Sequence, residues 1–375
     1  MRIAHVSDCY APRTGGIESQ VRALAERQQA SGDDVRVITA TRSSDPRDAD
    51  RVGGLVVHRV VARVPFDLPV HPRTRREVGA VLDADPVDIV HVHAGVVSPF
   101  AWGAVRAARD RGVPVLVTVH SVWGPLAAPA FSVSDALARW HAWGVTMSAV
   151  SDLAAARVQA AVPRLGEVLV LPNGVDPAEW NVPRLARPRG SLRLVTVMRL
   201  APRKRTIPLL RMIGLVRTGL RGSVDVTASV VGGGPMLDRA RTYATAHDLG
   251  QAVTFTGRLD RAGVRDILGR SDVYIQPSVR ESFGLAALEA RTSGLPVVVH
   301  SDSGSTQFIH DRVEGLVAPD DAGMVGAVIR LAHDPVLLDA ITAHNRSTPP
   351  AETWPHVLEA VQAAYVRAGA APTQR

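Results

Sequence analysis

The sequence predicts an α/β protein built from two Rossmann-like domains, each a parallel sheet with helices on both faces. Three observations predict it. Strand-like and helix-like stretches alternate along all 375 residues, the alternation restarts after residue 191, and glycine-rich turns stand where strands hand over to helices. In the first half, RIAHVS reads as a buried strand, followed by a loop to Gly15–Gly16, a helically spaced IESQVRALAERQQAS and the strand DVRVITA. Further strands are LVVHRVV, DIVHVHA, VPVLVTVH and VTMSAVS, with AWGAVRAARDRG a helix between two of them. VLVLPNGVD closes this half on the turn pair Asn173–Gly174.

Residues 182–191, VPRLARPRGS, carry Pro and Gly without periodicity and read as a linker between domains at 1–181 and 192–345. The second half runs LRLVTVMRL (strand), IPLLRMIGLVRTG (helix), DVTASVVGGGP (strand into a glycine loop) and MLDRARTYATAHDLG (helix). AVTFTG, AGVRDILGRS, DVYIQPS, GLAALEARTSG and LPVVVHS continue the rhythm. A last helix is expected over 353–368 after a Pro-rich break, and the small, polar GAAPTQR is expected to fray. In such sheets ligands bind beyond the C-terminal strand ends, so the expected site is a cleft lined by those ends from both domains.

Composition narrows the classes. No apolar run approaches the ~20 residues of a membrane span, and the opening MRIAHVSDCY reads as a strand without signal-peptide architecture. The one cysteine, Cys9, excludes an internal disulfide and any multi-cysteine metal site, which suits a reducing cytoplasm. Net charge is +7, yet the cations are interspersed with 36 acids and accompany no nucleic-acid motif. Anionic ligands, and a membrane surface as a further possibility, account better for the excess. Of the 43 basic residues only Lys204 is a lysine.

Four stretches of the second half converge on phosphate and sugar chemistry. Arg199 and Lys204 in MRLAPRKRT lie just past a strand end, where two cations would meet a doubly charged leaving group. Lysine suits a narrow phosphate site because its ammonium is a compact point charge, whereas arginine brings a wide fork. Gly232–Gly234 join a strand to a helix and can offer backbone amides to phosphate. In PSVRESFGLAALEA, Glu281 precedes a helix expected to start near Ser282–Phe283, and Glu289 lies on it, so both can serve one wall of the site. Finally HSDSGSTQF presents Gly304, Ser305 and Thr306, whose amides are expected to cradle a phosphate.

Together GGIE, DIVHVHA, VTVHS, PNGVD, MRLAPRK, VGGGP, FTG, PSVRESFGLAALEA and SGLPVVV resemble, in order and spacing, the retaining glycosyltransferases of family 4, which have the GT-B fold. The resemblance covers nearly the whole chain. It implies that Arg199 and Lys204 neutralise a departing nucleoside diphosphate, that Glu281 contacts donor-sugar hydroxyls, and that Glu289 holds the ribose. It further implies that backbone at Ser282, Phe283, Gly284 and Leu285 faces sugar and phosphate and that Gly15, Gly16 and Gly233 approach the diphosphate. The base would be read near Thr256 and Arg258, and His120 would lie near the sugar's reactive face. The last helix would cross back onto the first domain. No cofactor and no metal are expected. The partners implied are a nucleotide-sugar donor and a hydroxyl acceptor, which is a lipid, a glycan or a small metabolite. The chain departs from the family at Ser303–Gly304 and Gln307, where Gly-Gly and Glu are common, and at Ser121, where Asp is common.

Rival readings are weaker. His91 and His93 form an H-x-H on one strand face, a spacing that suits a metal hydrolase, but no further Asp/His cluster at a strand end is expected to join them, so buried or cleft-lining histidines are the better reading. The DAD triplets at 48–50 and 83–85 fall in polar segments and read as loop acids. Cys9 with His120 lacks a third group to orient the base. The stretch 58–77, with Arg59, Arg63, Arg73, Arg75, Arg76, Phe66 and Leu68, offers either an anionic-lipid contact at the inner membrane face or an ordinary connector. Trp123, Trp140 and Trp143 fit an acceptor pocket or the core equally. The expectation is thus a cytoplasmic, metal-independent retaining hexosyltransferase. A nucleotide-sugar epimerase or a non-catalytic binding protein on the same scaffold are the alternatives.

Overall fold

In the computed structural model, residues 1–13, 15–43, 51–62, 68–124 and 127–371 are described. Asp48 and Asp50 of the first DAD triplet, Arg63 and Phe66 of the basic stretch, and residues 372–375 of the tail expected to fray lie outside them. The chain divides into two compact units, Met1–Gly174 with Trp354–Arg375, and Val175–Thr353.

The first unit contains β1 (Arg2–Ser7), α1 (Gly16–Ala30), β2 (Asp34–Thr39), β3 (Arg51–Val52), β4 (Leu55–Arg59), α2 (Thr74–Ala84) and β5 (Ile89–Ala94). It continues through α3 (Pro99–Arg109), β6 (Val115–Val119), α4 (Ala127–Ala138), β7 (Thr146–Ala149), α5 (Asp152–Ala161) and β8 (Leu169–Val170). The strands form one sheet in the order β3-β4-β2-β1-β5-β6-β7-β8, parallel except for the β3–β4 pair. Because successive residues of a strand point to opposite faces, two cores result. Ala4, Val6, Val90, Val92, Val117 and Val119 pack with Phe100 and Val105 of α3. Ile3, Val37, Ile89 and Leu116 pack on the other face with Val21 and Leu24 of α1 and with Val357, Val361 and Tyr365 of the final helix. Trp123 and Trp140 are buried in the first of these cores, which decides between core and pocket for both. The α3 N-terminus is closed by Asp8, whose Oδ1 accepts from the Phe100 and Ala101 amides at 3.2 and 3.4 Å.

The second unit contains α6 (Pro177–Trp180), β9 (Ser191–Val197), α7 (Thr206–Gly219), β10 (Asp225–Val231), α8 (Leu237–Ala246), β11 (Val253–Gly257) and α9 (Arg261–Gly269). It then has β12 (Val273–Gln276), α10 (Leu285–Thr292), β13 (Val297–His300), β14 (Gly315–Ala318), α11 (Asp321–His333) and α12 (Pro335–Ser347), while α13 (Trp354–Arg367) belongs to the first unit. Its sheet is wholly parallel, in the order β11-β10-β9-β12-β13-β14.

Two expectations are corrected here. Residues 182–191 are not a free linker. Val182 is buried, the Leu185 amide donates to the Gly269 carbonyl at 2.9 Å, and Arg184 Nη2 donates to the Ser271 carbonyl at 2.6 Å, so the α9–β12 junction satisfies this aperiodic stretch. The unit boundaries accordingly fall at 174/175 and 353/354 instead of 181 and 345. The helix expected from Ser282–Phe283 starts at Leu285, because Gly284 takes a left-handed φ of 90° that no helix accommodates.

Gly232 and Gly234 have φ of 130° and 154°, and a Cβ on either would strike the carbonyl oxygen of Met198 or Leu200. The glycine loop therefore lies flat against the loop leaving β9, laced to it by Met198 N to Val231 O, Leu200 N to Gly233 O and Met236 N to Leu200 O, each at 3.0 Å. Gly232→Ala is expected to cost about 2–4 kcal/mol from backbone strain and overpacking, lowering the melting temperature by roughly 5–15 °C. Gly326→Ala, on an exposed turn of α11 with nothing within 4 Å of the added carbon, is the control and should be neutral or slightly stabilising. Equal melting temperatures for the two variants would show that the close approach does not matter.

Candidate active site

A parallel sheet delivers all its strand exits to one edge, and the order β11-β10-β9-β12-β13 makes five exit loops of the second unit neighbours. The β9 loop carries Arg199 and Lys204, the latter in a 3₁₀ turn over Pro202–Lys204. The β12 loop carries Glu281. Lys204 Nζ and Glu281 Oε2 form an ion pair, both side chains being about one-fifth exposed or less. Two residues 77 positions apart in sequence are thus brought together. Arg199 is exposed on the same loop.

The loop holding Lys204 has an anchor that the sequence reading missed. Arg205 adopts φ 59° and forms a two-pronged ion pair with Asp321 at the start of α11 (2.7 and 2.8 Å), while also donating to the Pro277 carbonyl at 3.2 Å. This guanidinium ties the β9 loop to the β12 loop. A fork that binds carboxylate and carbonyl together is work that an ammonium cannot do, so Arg205 and Lys204 are not interchangeable neighbours.

The phosphate cradle expected at Gly304, Ser305 and Thr306 is corrected by the hydrogen bonding. The Gly304 amide donates to the Glu281 carbonyl at 2.9 Å, Ser305 N to Ser303 Oγ at 3.2 Å, and Thr306 N to the Ser303 carbonyl at 3.1 Å, so all three amides are engaged within the protein. Ser305 Oγ donates to the Phe283 carbonyl at 2.9 Å, and Gln276 Nε2 donates to both Ser303 Oγ and Ser305 Oγ at 3.0 and 2.9 Å. This buried cluster braces the backbone from Glu281 to Gly284 in place of binding an anion. A Cβ at Gly284 would collide with Ser305 Oγ. Ser and Gly in HSDSGSTQF are equally compatible with either role, and only the long-range partners distinguish them.

The remaining second-unit candidates take these places. Phe283 is buried, its ring 5.2 Å from that of Phe308. Ser282 lies two residues before Gly284, the N-cap of α10, and Leu285 is the first residue of that helix. Thr256 is half-buried and donates to the Gly257 carbonyl at 3.1 Å, whereas Arg258 is exposed with its side chain alongside Gly233. Glu289 is half-buried on α10, and desolvation pushes its carboxyl up to about 8 against the weaker pull of Arg261. It is therefore mostly protonated near neutral pH and can donate as well as accept.

Gly15, Gly16 and His120 belong to the first unit. Gly15 and Gly16 open α1. His120 follows β6 and, with His5, joins His91 and His93 in a row on one sheet face, which corrects the expectation that no further histidine meets the pair. His5 Nδ1 lies 2.9 Å from His93 Nε2, His93 Nδ1 lies 3.0 Å from His120 Nε2, and His5 Nε2 lies 2.7 Å from Gln28 Oε1. His91 bridges the Tyr365 hydroxyl at 2.9 Å and Thr118 Oγ1 at 2.7 Å. Burial lowers His5 and His120 to about 4, and lowers His91 and His93 well below the usual histidine range. The ligand atoms of His5, His91 and His93 come within 4.8 Å of one another. Every one of those six ring nitrogens is nevertheless committed to a hydrogen bond, which disfavours the metal reading of H-x-H. Cys9 is half-buried with Arg13 Nη1 3.6 Å from its sulfur, and burial raises its thiol, so it is a poor nucleophile. Among the described residues, no helix is long and apolar enough to cross a membrane.

Comparison with known proteins follows the same lines. Residues 181–348 match the family described as Glycosyl transferases group 1, and residues 14–179 match Glycosyltransferase Family 4. The chain is similar to the phosphatidyl-myo-inositol mannosyltransferase of Mycobacterium leprae, with 29% identity over 97% of this chain and 96% of the relative. It is equally similar to the glycogen synthase of Mycobacterium tuberculosis, at 29% identity over 98% and 95%. In fold it resembles Anabaena Alr3699/HepE, solved in complex with UDP and glucose, with a TM-score of 0.74 at 15% identity over 98% of this chain and all of that one.

Proposed function

Since this chain belongs to the family 4 glycosyltransferases and has their GT-B fold, we propose that it moves a hexose of mannose or glucose type from a nucleotide-diphosphate sugar to a hydroxyl acceptor with retention of anomeric configuration. The observation that carries the reading is the Lys204–Glu281 pair at the shared strand-exit edge, with Arg199 exposed on the same loop. A carboxylate there can accept hydrogen bonds from the hydroxyls of a sugar, and two cations can take the charge that develops on a departing diphosphate. The mannosyltransferase and the glycogen synthase it is similar to both handle hexoses, which supports the sugar class.

In this reading Glu281 orients the donor sugar, Glu289 holds the ribose, and His120 meets the sugar. Thr256 and Arg258 bound the base, with Gly15, Gly16 and Gly233 near the diphosphate. No side chain is assigned as a covalent nucleophile. The acceptor hydroxyl attacks as the leaving phosphate takes its proton, which places the new bond on the face the old one leaves. Arg199 and Lys204 provide the cationic charge, so no metal ion is required.

The test incubates the full chain with GDP-mannose and with UDP-glucose, with and without phosphatidylinositol vesicles or glucan as acceptor and with excess chelator. The expected result is acceptor-dependent release of nucleoside diphosphate, unchanged by chelation, giving an α-linked product. Conversion of donor alone into an epimer, or activity abolished by chelator and restored by a divalent cation, would overturn the corresponding part of the reading.

A further inference from the structure

His5, His91, His93 and His120 of the first unit form part of a longer hydrogen-bonded chain, and its direction can be deduced. Eight bonds connect nine groups: His120 to His93 (3.0 Å), His93 to His5 (2.9 Å), His5 to Gln28 (2.7 Å), Gln28 to Tyr365 (3.0 Å), Tyr365 to His91 (2.9 Å), His91 to Thr118 (2.7 Å), Thr118 to Ser148 (2.7 Å) and Ser148 to the Val117 carbonyl (3.2 Å). The final group is a backbone carbonyl, which has no proton and only accepts. Ser148 therefore donates to it, which leaves the Ser148 oxygen to accept from Thr118. Thr118 has then spent its proton and accepts from His91 Nε2–H. A neutral His91 protonated at Nε2 has its lone pair at Nδ1, so it accepts from the Tyr365 hydroxyl.

Tyr365 in turn accepts from Gln28 Nε2, and the amide oxygen of Gln28 faces His5 Nε2. His5 must donate from Nε2 and accept at Nδ1, so His93 donates from Nε2 and accepts at Nδ1, and His120 donates from Nε2. Reversing the direction would turn the Ser148 proton toward Thr118 and lose the bond to the Val117 carbonyl. The four rings come from three neighbouring strands and point to one face, where α1 supplies Gln28 and α13 supplies Tyr365. His5, His91 and His93 are at most 3% exposed, while His120 is 9% exposed and is the end of the chain with a ring nitrogen to spare. The adjoining cavity, lined by His91, His93, Thr118 and His120, is about 30 Å³, room for a water and not for a sugar. Among the linked groups His120 is the most exposed, so a ligand is expected to meet the hydrogen-bonded chain there.

We propose that the chain running from His120 to the Val117 carbonyl is a tautomer lock: it holds His120 protonated at Nε2 and so presents the Nδ1 lone pair as a fixed acceptor for a substrate hydroxyl. Gln28, Tyr365, His91 and Thr118 are positioning residues, since none of them needs to touch substrate. The substrate part of this assignment rests on the reading of His120 as a sugar-facing group. The lock itself does not.

The experiment is two-bond ¹H–¹⁵N correlation spectroscopy on the full chain labelled with [¹⁵N]histidine near pH 7.5. All four rings are expected as neutral Nε2–H tautomers. Thr118→Val removes the acceptor of His91 and the anchored end with it, so the chain is released to reverse and His120 shifts toward Nδ1–H. Thr118→Ser should restore the original spectrum. A wild-type His120 protonated at Nδ1, or His120 resonances unmoved by Thr118→Val, overturns the lock. Added GDP-mannose or UDP-glucose should then move His120 Nδ1 alone. A donor that raises the melting temperature without moving Nδ1 overturns the sugar contact, whereas failure of every donor and acceptor in the transfer assay, with the tautomers as expected, overturns the proposed activity and leaves the lock standing.

Discussion

Lys204→Ala is expected to lower kcat by about 10²–10³-fold, the usual loss when one preorganised charge partner of a developing anion is removed. The melting temperature should move little. The Lys204–Glu281 pair is partly exposed, and such pairs contribute about 0–1 kcal/mol to stability. The separation of a large kinetic effect from a small thermal one is what a catalytic role predicts. Lys204→Arg sharpens the test, because it keeps the charge and changes only its shape. The 3₁₀ turn that carries Lys204 is pinned next door by Arg205 on Asp321 and the Pro277 carbonyl, so the turn cannot easily shift to seat a longer planar fork against Glu281. Lys204→Arg is therefore expected to keep most of the stability and still lose activity at least about tenfold. Glu281→Gln should show a loss of similar order, and the double variant should lose less than the product of the two, since the residues act as a coupled pair. Activity within threefold of wild type for Lys204→Ala would remove Lys204 from the mechanism and send the role to Arg199.

That Lys204 and Glu281 belong together was legible in the sequence for a definite reason. Both lie just past strands of a parallel sheet, and the sheet topology alone forces such loops to one edge. Strand periodicity is a local signal, so much of the alternating pattern was readable as well, although α2, α4 and α5 of the first unit and β14, α11 and α12 of the second were not among the expected elements. The parts that were not legible depend on partners far away in sequence. The Ser303–Ser305 turn has the composition of an anion cradle, and only the Glu281 and Phe283 carbonyls and the Gln276 amide reveal it as a brace. The stretch 182–191 has the composition of a linker, and only Gly269 and Ser271 make it part of the second unit. Arg205 is one of 42 arginines, and nothing local separates it from the others; its partner Asp321 is 116 residues away. His91 and His93 were visible as a pair on one strand face, yet the Tyr365 that satisfies His91 comes from the last helix, 274 residues on.

Acid is expected to unfold the first unit ahead of the second, and the histidine row is the reason. His5 and His120 titrate at about 4 in the folded unit, and His91 and His93 lower than the usual range, all because burial disfavours the imidazolium. In the unfolded chain the same rings titrate near 6.5. Between about pH 6.5 and 4 the unfolded state therefore binds more protons than the folded one, and stability falls as pH falls, by about 1.4 kcal/mol per pH unit for each such histidine. Asp8 in the same unit works in the opposite direction. Burial raises it to about 6, so below that pH the folded state holds a proton that the unfolded carboxyl releases until near 4. One carboxyl offsets one ring, and four rings are present, so the histidines win. Glu289 reverses the sign in the second unit: its folded value of about 8 lies above its unfolded 4.5, so its contribution is fully present below pH 4.5 and is lost as pH rises through 8. Because Glu289 is half-buried, solvent screening makes that loss smaller than the shift alone implies. Scanning calorimetry from pH 8.5 to 4.5 should resolve a transition that moves to lower temperature with acid, and amide exchange should place its first opening in β1, β5 and β6. His5→Gln combined with His93→Gln removes two of the titrating rings and should flatten the slope even where it lowers stability throughout. A first transition in the second unit at low pH, or a slope unchanged in the double variant, would mean that the four rings are not held neutral by the fold.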